Sequence, residues 1–143
     1  EIFAADINLP NVTIAPDKYL FFSIKRLVEK GILYTKFSKE SKVDYLRDLI
    51  LTRTAELKYV VENKLLGEVE RSTQRLSYQV GIISDFIVTN PELQNKKQDI
   101  VNQLTGLKRP LETLRDQYPS NSSFWMLVQH SINSIDLNLE KLK

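Results

Sequence analysis

Four charged residues in the first half of the chain have the types and spacing that could do chemistry. Lys25 and Glu29 lie four residues apart, and Arg53 and Glu56 lie three apart. Pairs at these spacings meet on the surface of an α-helix, where each contributes about 0.2–0.5 kcal/mol. Arg53 also falls on or beside a predicted apolar stripe, where a buried charge requires an acidic partner such as Glu29 or Glu56. We interpret the four residues as a registry device between two helices; an arginine site for a ligand carboxylate is the alternative.

Other candidates for catalysis or metal binding are few. The sequence has no Cys and one His, His130, so it can form neither a thiolate metal site nor a cysteine nucleophile. The residue three positions before His130 is Leu127, which does not fit the Glu-x-x-His pattern of di-iron bundles. Glycine-rich phosphate loops, nucleophile elbows and EF-hand loops are also absent from the sequence. We therefore predict no enzyme activity, no cofactor and no metal site, and a structural role for His130.

Two aromatic clusters are candidates for contact with a partner. Tyr-Leu-Phe-Phe occupies residues 19–22, and Phe-Trp-Met occupies residues 124–126. Packing inside or at the end of a helical bundle is one interpretation of both clusters. Contact with a protein or a lipid is the other, because aromatic side chains are enriched at the centres of interfaces. The possible partner-contact residues are Tyr19, Phe21, Phe22, Phe124 and Trp125.

Composition limits the class of partner. The formal net charge is +2 and the basic residues are spread among acids, whereas nucleic-acid-binding domains are strongly basic. We interpret the basic residues of the first half as a solvated helical face, and a phosphate-binding patch is the alternative; they are Lys25, Arg26, Lys30, Lys36, Lys39 and Lys42. No apolar run reaches the roughly 18 residues needed to span a bilayer, so we expect any membrane anchor to lie outside these 143 residues. We predict another protein as the partner, and no nucleic acid. The absence of Cys is compatible with any compartment and fits an extracytoplasmic protein, whose targeting segment would precede Glu1.

Residues 1–15 are predicted to form an extended arm that docks through Ile2, Phe3 and Ile14, and residues 16–143 a single helical domain. The first helix should begin near Pro16 and Asp17, with Asp17 as its N-cap. It carries an apolar face so broad that we expect a central helix, packed between neighbours. The residues of that face are Leu20, Phe21, Ile24, Leu27, Val28 and Ile32.

Four more helices follow from capping and breaking signals. The second begins after Ser38, a good N-cap, and ends near residues 63–67. The third stops at Thr-Asn-Pro, residues 89–91, because the residue before a proline disfavours the α conformation. The fourth opens with Pro91 and contains Pro110, which should kink it together with Gly106; two abutting helices are the alternative. The fifth begins after the cap candidates of residues 120–122.

Each of these four helices carries an apolar stripe at steps of three and four residues. Together they predict an all-α, up-down antiparallel bundle of about five helices. The stripes are Val43, Leu46, Ile50, Leu57, Val60 and Val61; Val69, Thr73, Leu76, Val80, Ile83 and Ile87; Leu93, Ile100, Leu104, Leu107, Leu111, Leu114 and Tyr118, with Lys97 as an exception; and Val128, Ile132, Ile135, Leu139 and Leu142.

The stretch PDKYLFFSIKRLVEKG, followed by SKESKVDYLRDLILTRTAEL, carries a resemblance over about residues 16–90. It resembles a bacterial domain of unknown function, number 5667 in the domain-family series. The adjacent phenylalanines, and Thr54 in place of a leucine, depart from that pattern. The resemblance implies an exported helical module of the cell envelope with no assigned activity. The matching residues are Pro16, Tyr19, Lys25, Arg26, Glu29, Arg53 and Glu56.

These observations favour a non-enzymatic, extracytoplasmic interaction or scaffold domain of a bacterial cell-envelope or exported protein. Its partner would contact one exposed apolar patch, near residues 19–22 or 124–127. The alternative is a helical bundle that senses or carries a small molecule or a lipid. In that case the kink at Gly106 and Pro110 could open a space between helices, where bundles commonly bind ligands.

Overall fold

The computed structural model describes residues 9–12, 14–35 and 38–143. Over these ranges the chain is helical and contains no β-strand, so the all-α class is confirmed. Short 3₁₀ turns, Leu66–Glu68 and Pro91–Leu93, precede the third and fourth helices. The five helices are α1 (Tyr19–Tyr34), α2 (Lys39–Glu62), α3 (Val69–Thr89), α4 (Gln94–Arg115) and α5 (Ser123–Lys141).

Capping side chains set the starts of two helices as the sequence predicts. The Ser38 hydroxyl accepts the N–H of Ser41 at 3.0 Å, and the Ser122 hydroxyl accepts that of Trp125 at 3.3 Å. Both bonds satisfy a backbone donor that the first turn of a helix leaves free. The predicted N-cap of α1 is wrong by one residue, because its N-cap position is Lys18 and Asp17 lies in the preceding turn.

Helices α2 to α5 pack closely around a main hydrophobic core, and Val60, Val69 and Val128 form a smaller cluster of their own. The stripes of all four bury as predicted, apart from Tyr118 and Leu139, which are half-buried at the margin. Lys97, the exception in the stripe of α4, is also half-buried. Leu9, from the described part of the N-terminal segment, packs against the same core. Four helices therefore supply the buried residues of the core, and α1 adds only the half-buried Leu33 at its margin.

The prediction that α1 is a central helix is wrong. Leu27 is 71% exposed and Phe21 is 62% exposed, and Phe22 is the one residue of α1 that is buried. The backbone of α1 does not run closely along any other described helix. Its charged side, with Lys25 and Glu29, faces α2 instead. The apolar face that suggested a core position therefore points away from the core.

Two further predictions concern the N-terminal arm and a kink in α4. Ile2 and Phe3 of the predicted arm lie outside the described residues, whereas Ile14 is half-buried. Helix α4 continues through Pro110, whose side chain is buried, and a kink there stays a prediction. Among the described residues, no helix is both long enough and apolar enough to cross a membrane.

Candidate functional site

Buried ion pairs connect α1 to α2. The Glu56 carboxylate accepts two bonds from Nη1 of Arg53, at 2.8 and 3.0 Å, and also binds the Lys25 ammonium. Arg53 reaches Glu29 with its other terminal nitrogen. The sequence spacing predicted a pair between Lys25 and Glu29, but each of them contacts a residue of α2. We call these four residues the ion-pair layer.

Charge complementarity makes this layer tolerable despite its burial. Arg53 is 3% exposed and Glu56 is 2% exposed. Burial acts to lower the pKa of Arg53, but the Glu56 and Glu29 carboxylates outweigh burial and raise that pKa above its ordinary value. Because a buried ion is stable only with partners that satisfy it, the layer requires α1 and α2 to meet in one register.

Phe22 anchors α1 by packing against cations. Its ring lies beneath the guanidinium of Arg75 of α3, whose central carbon is 4.5 Å from the ring centroid. The Lys25 ammonium is 5.3 Å from that centroid, and the Arg53 guanidinium is 6.0 Å from it. Contacts of this kind are favourable because the ring face carries negative charge density. Phe22 therefore contributes to the attachment of α1 and is not available to a partner.

A second group of polar contacts holds the start of α1. The Tyr19 hydroxyl donates to Oε2 of Glu68 at 2.7 Å, although 60% of Tyr19 is exposed. Arg71 binds the same carboxylate at 3.0 Å and lies 5.2 Å from the centroid of the Tyr19 ring. Within the cluster at residues 19–22, Tyr19 and Phe22 therefore attach α1 to its neighbours, whereas Leu20 and Phe21 are exposed.

The outward face of α1 forms a continuous apolar surface. Its members are at least 38% exposed, and five of the six are more than half exposed. They recur at helical spacing, so they lie side by side along the helix. We call this surface the apolar stripe; it consists of Leu20, Phe21, Ile24, Leu27, Val28 and Ile32.

The second aromatic cluster, residues 124–126, packs through Phe124 and Trp125 against residues at the end of α4 and just after it. The Phe124 ring lies 5.5 Å from that of Tyr118, and Nε1 of Trp125 donates to Oδ1 of Asp116 at 3.1 Å. The Arg115 guanidinium covers the Trp125 ring at 4.8 Å. Phe124 and Trp125 are both half-buried. Of the two predicted patches, the one on α1 therefore presents the larger apolar surface.

The structure adds three residues that the sequence did not indicate, Glu68, Arg71 and Arg75, and brings Arg26 of the basic set close to them. Arg26, Arg71 and Arg75 line an open cleft between α1 and α3, which also includes Arg53, and Glu68 lies beside it. Glu68, Arg71 and Arg75 recur at i, i+3 and i+7, beside the buried apolar residues of α3. That spacing was a usable signal, because it places them on one helix face.

The remaining candidate from the sequence is His130. His130 is exposed on α5, beside Ser131 and Leu127. Within the described ranges, no three His, Asp or Glu side chains lie close enough together to hold a metal ion.

No protein-family model, curated protein or solved structure matches this chain. The resemblance of residues 16–90 to the bacterial domain of unknown function 5667 therefore stays a prediction. Functional inference rests on the geometry of α1 and its neighbours.

Proposed function

We propose that this chain is a non-enzymatic interaction domain that binds another protein through the apolar stripe of α1. The observation that carries this proposal is the exposure of six large apolar side chains on one helix. Contiguous apolar patches of this kind mark interaction sites on monomeric proteins. Full burial of one such side chain contributes about 1.5–3 kcal/mol, so covering the stripe can support stable association.

The spacing of the stripe favours a protein partner that receives a helix. Leu20, Ile24 and Leu27 lie at i, i+4 and i+7, the anchor positions of helices that insert into apolar grooves. Helices that lie on membranes instead present Lys and Arg on their polar face to lipid headgroups. Here Lys25 is bound to Glu56 of α2 and Arg26 faces the cleft beside α3. A grooved protein surface therefore fits the stripe better than a bilayer.

A Leu27→Asp substitution tests this proposal. A charge at the centre of the stripe should weaken partner binding by at least about 30-fold, the effect of losing one interface hot spot. The matched control is Leu137→Asp on α5, because Leu137 and Leu27 are equally exposed, at 71%. Both variants should retain the wild-type circular dichroism spectrum.

The measurement is in-cell cross-linking and co-purification from the source organism, followed by titration of the identified partner with purified protein. We expect a stoichiometric partner with the wild type and with Leu137→Asp, and none with Leu27→Asp. Equal capture by both variants would contradict a role for the stripe. Loss of vesicle binding in Leu27→Asp, without loss of any protein, would replace the protein partner by a membrane.

We propose further that the interaction takes place outside the cytoplasm, in a bacterial cell-envelope or exported protein. The resemblance of residues 16–90 supports this location, and the absence of Cys is consistent with it.

The up-down arrangement of α2 to α5 is also a proposal. Its support comes from side-chain bonds whose residue numbers rise together between α2 and α4, at Lys39–Glu92 and Asp44–Lys96. The same holds between α3 and α5, at Ser77–Ser131 and Asp85–Lys141. Between α4 and α5 the numbers run oppositely, at Lys108–Asp136 and Arg115–Gln129. A kink at Pro110 would bend one helix of this arrangement.

A carrier of small molecules is the second candidate. A cleft of about 490 Å³ lies at one end of the bundle, between Val61, Leu66 and Leu114. The Tyr118 hydroxyl lines it, is buried and has no hydrogen-bond partner within the described protein, and burial raises the pKa of Tyr118. A largely apolar ligand with one polar group would fit this space.

Native mass spectrometry of protein purified from its source tests the carrier candidate. We expect a small additional mass on the wild type, and its loss in Tyr118→Phe, which keeps the ring and removes the hydroxyl. The control is Tyr34→Phe, at an exposed tyrosine of α1 that lines neither this cleft nor the cleft between α1 and α3. A bare chain mass for all three proteins would count against the carrier.

A further inference from the structure

Four arginines lie close together at the charged side of α1, and only some of their N–H donors have hydrogen-bond partners. Arg26 of α1, Arg53 of α2, and Arg71 and Arg75 of α3 line one open cleft of about 310 Å³. Gln74, Tyr78 and Gln79 complete its wall. The volume lies at the lower end of the range for small-molecule sites, about 300–1,000 Å³. The cleft is therefore large enough for a small organic anion.

Two of these arginines have buried donors that nothing in the described protein satisfies. They are Nε of Arg26 and Nη1 of Arg75, on different helices. Oε1 of Gln79 is a buried acceptor without a partner in the same wall. A buried polar group without a hydrogen bond is costly, and more so when it is charged. A ligand that accepts from both guanidinium groups would remove this cost.

The local charge is also unbalanced. The cations are Lys25 and the four arginines of the cleft, whereas the carboxylates beside them are Glu29, Glu56 and Glu68. Five positive charges therefore meet three negative charges, which leaves an excess of two. Burial, and then the positive charge of Arg26, lower the pKa of Arg75 below its ordinary value. The position of Arg75 is nevertheless fixed, because its guanidinium lies over the Phe22 ring.

We propose that this cleft binds a phosphate dianion, either as free phosphate or as the phosphate group of a monoester. A phosphate monoester carries about −1.5 to −2 charges at pH 7 and offers three strong acceptor oxygens. Its charge matches the local excess, whereas a carboxylate supplies one charge and two oxygens. The two unpartnered donors, Nε of Arg26 and Nη1 of Arg75, belong to different helices, so a ligand with several acceptor oxygens can bind both guanidinium groups at once. The unpartnered acceptor of Gln79 suits a hydroxyl group on the alcohol part of a monoester.

This proposal is independent of the apolar stripe. The cleft lies between the charged side of α1 and α3, whereas the stripe occupies the outward side of the same helix. Substitutions in the cleft leave Leu20, Ile24 and Leu27 in place. Failure of phosphate binding would therefore not affect the proposed protein interaction, and the reverse also holds.

Isothermal titration calorimetry with the full chain tests the proposal, with inorganic phosphate and glycerol 3-phosphate as separate probes. Both are titrated at constant ionic strength, in chloride buffer free of other oxyanions. We expect saturable binding of one ligand per chain, and no saturation with acetate. Tighter binding of glycerol 3-phosphate identifies a monoester as the ligand, and tighter binding of inorganic phosphate identifies the free ion.

Arg75→Gln and Arg26→Gln should each weaken phosphate binding by about tenfold to a hundredfold, because each removes a charged donor. The control is Arg109→Gln, which makes the same chemical change at an exposed position on α4. Without phosphate, Arg75→Gln loses the contact of the guanidinium with the Phe22 ring but also the repulsion from Arg26, so its melting temperature should stay close to that of the wild type.

Absence of saturable binding by the wild type would overturn the proposal. Unchanged affinity in Arg75→Gln and Arg26→Gln would also overturn it. If Arg75→Gln fails to fold, Arg26→Gln alone decides, because Arg26 belongs to α1 and lies outside the four-helix core.

Discussion

Replacement of Glu56 by Gln is expected to release α1 from the rest of the protein. Glu56 is 2% exposed and binds both Lys25 and Arg53. The amide removes the negative charge and leaves two buried cations with only Glu29 to compensate them. Breaking a buried ion pair in this way costs about 3–5 kcal/mol. When α1 leaves, these cations return to water, so the loss falls on the docking of α1 and not on the core.

Hydrogen–deuterium exchange resolves this effect along the chain. Amides of α1 should exchange at least about 100-fold faster in Glu56→Gln, because each 1.4 kcal/mol changes an opening equilibrium tenfold. Amides in the core-facing turns of α3 and α5 should keep their protection. The matched control is Glu62→Gln, which removes the carboxylate of the exposed Lys58–Glu62 pair on the same helix. Equal protection of α1 in both variants would show that the ion-pair layer does not hold it.

The second large effect is expected at Leu104. This side chain is fully buried in the core formed by α2 to α5. Leu104→Ala should lower the free energy of unfolding by about 2–5 kcal/mol, through lost burial and a residual cavity. Leu27→Ala makes the same chemical change on α1 and should alter that free energy by no more than about 0.5 kcal/mol.

Urea denaturation followed by circular dichroism measures both free energies. The comparison distinguishes the four-helix core from the central position that sequence patterning assigned to α1. A Leu27→Ala effect as large as that of Leu104→Ala would return α1 to the core and remove the basis of the apolar stripe.

Hydrophobic periodicity predicted the buried residues of α2 to α5 well, because each of these helices packs against its neighbours on one side. In α3, Leu76, Val80, Ile83 and Ile87 are spaced by four and three residues, and all are buried. A helix that packs against neighbours on one side buries the residues of that side, whatever the partner helix is. The caps at Ser38 and Ser122 are equally local, so they too are readable from the sequence.

The same rule failed for α1 because periodicity identifies a face but not its surroundings. Leu20 and Leu27 repeat as regularly as the core residues of α3. The usable contrary signal lay on α2, where Arg53 and Glu56 interrupt an apolar stripe. Buried charges there require charged partners from a neighbouring helix, so that helix must turn its polar side inward.

The arginine cleft could be predicted only in part. Arg53 was identified from its position on the stripe of α2 and Arg26 as one of several basic residues, but Arg71 and Arg75 were not identified. Their convergence depends on the register between α1 and α3, to which the contact of Phe22 with Arg75 contributes. Spacing within one helix carries no information about the register between two helices that a long chain segment separates.

The attachment of α1 through charges also determines when it joins the structure. Ion pairs are favourable in a dry environment only once all partners are in place, so they depend on a formed α2 and α3. We therefore expect the four-helix core to assemble first and α1 to dock last. Substitutions in the ion-pair layer should change how fast α1 detaches, while the refolding rate of the core stays the same. Stopped-flow refolding of Glu56→Gln would then follow the wild-type time course until its final phase.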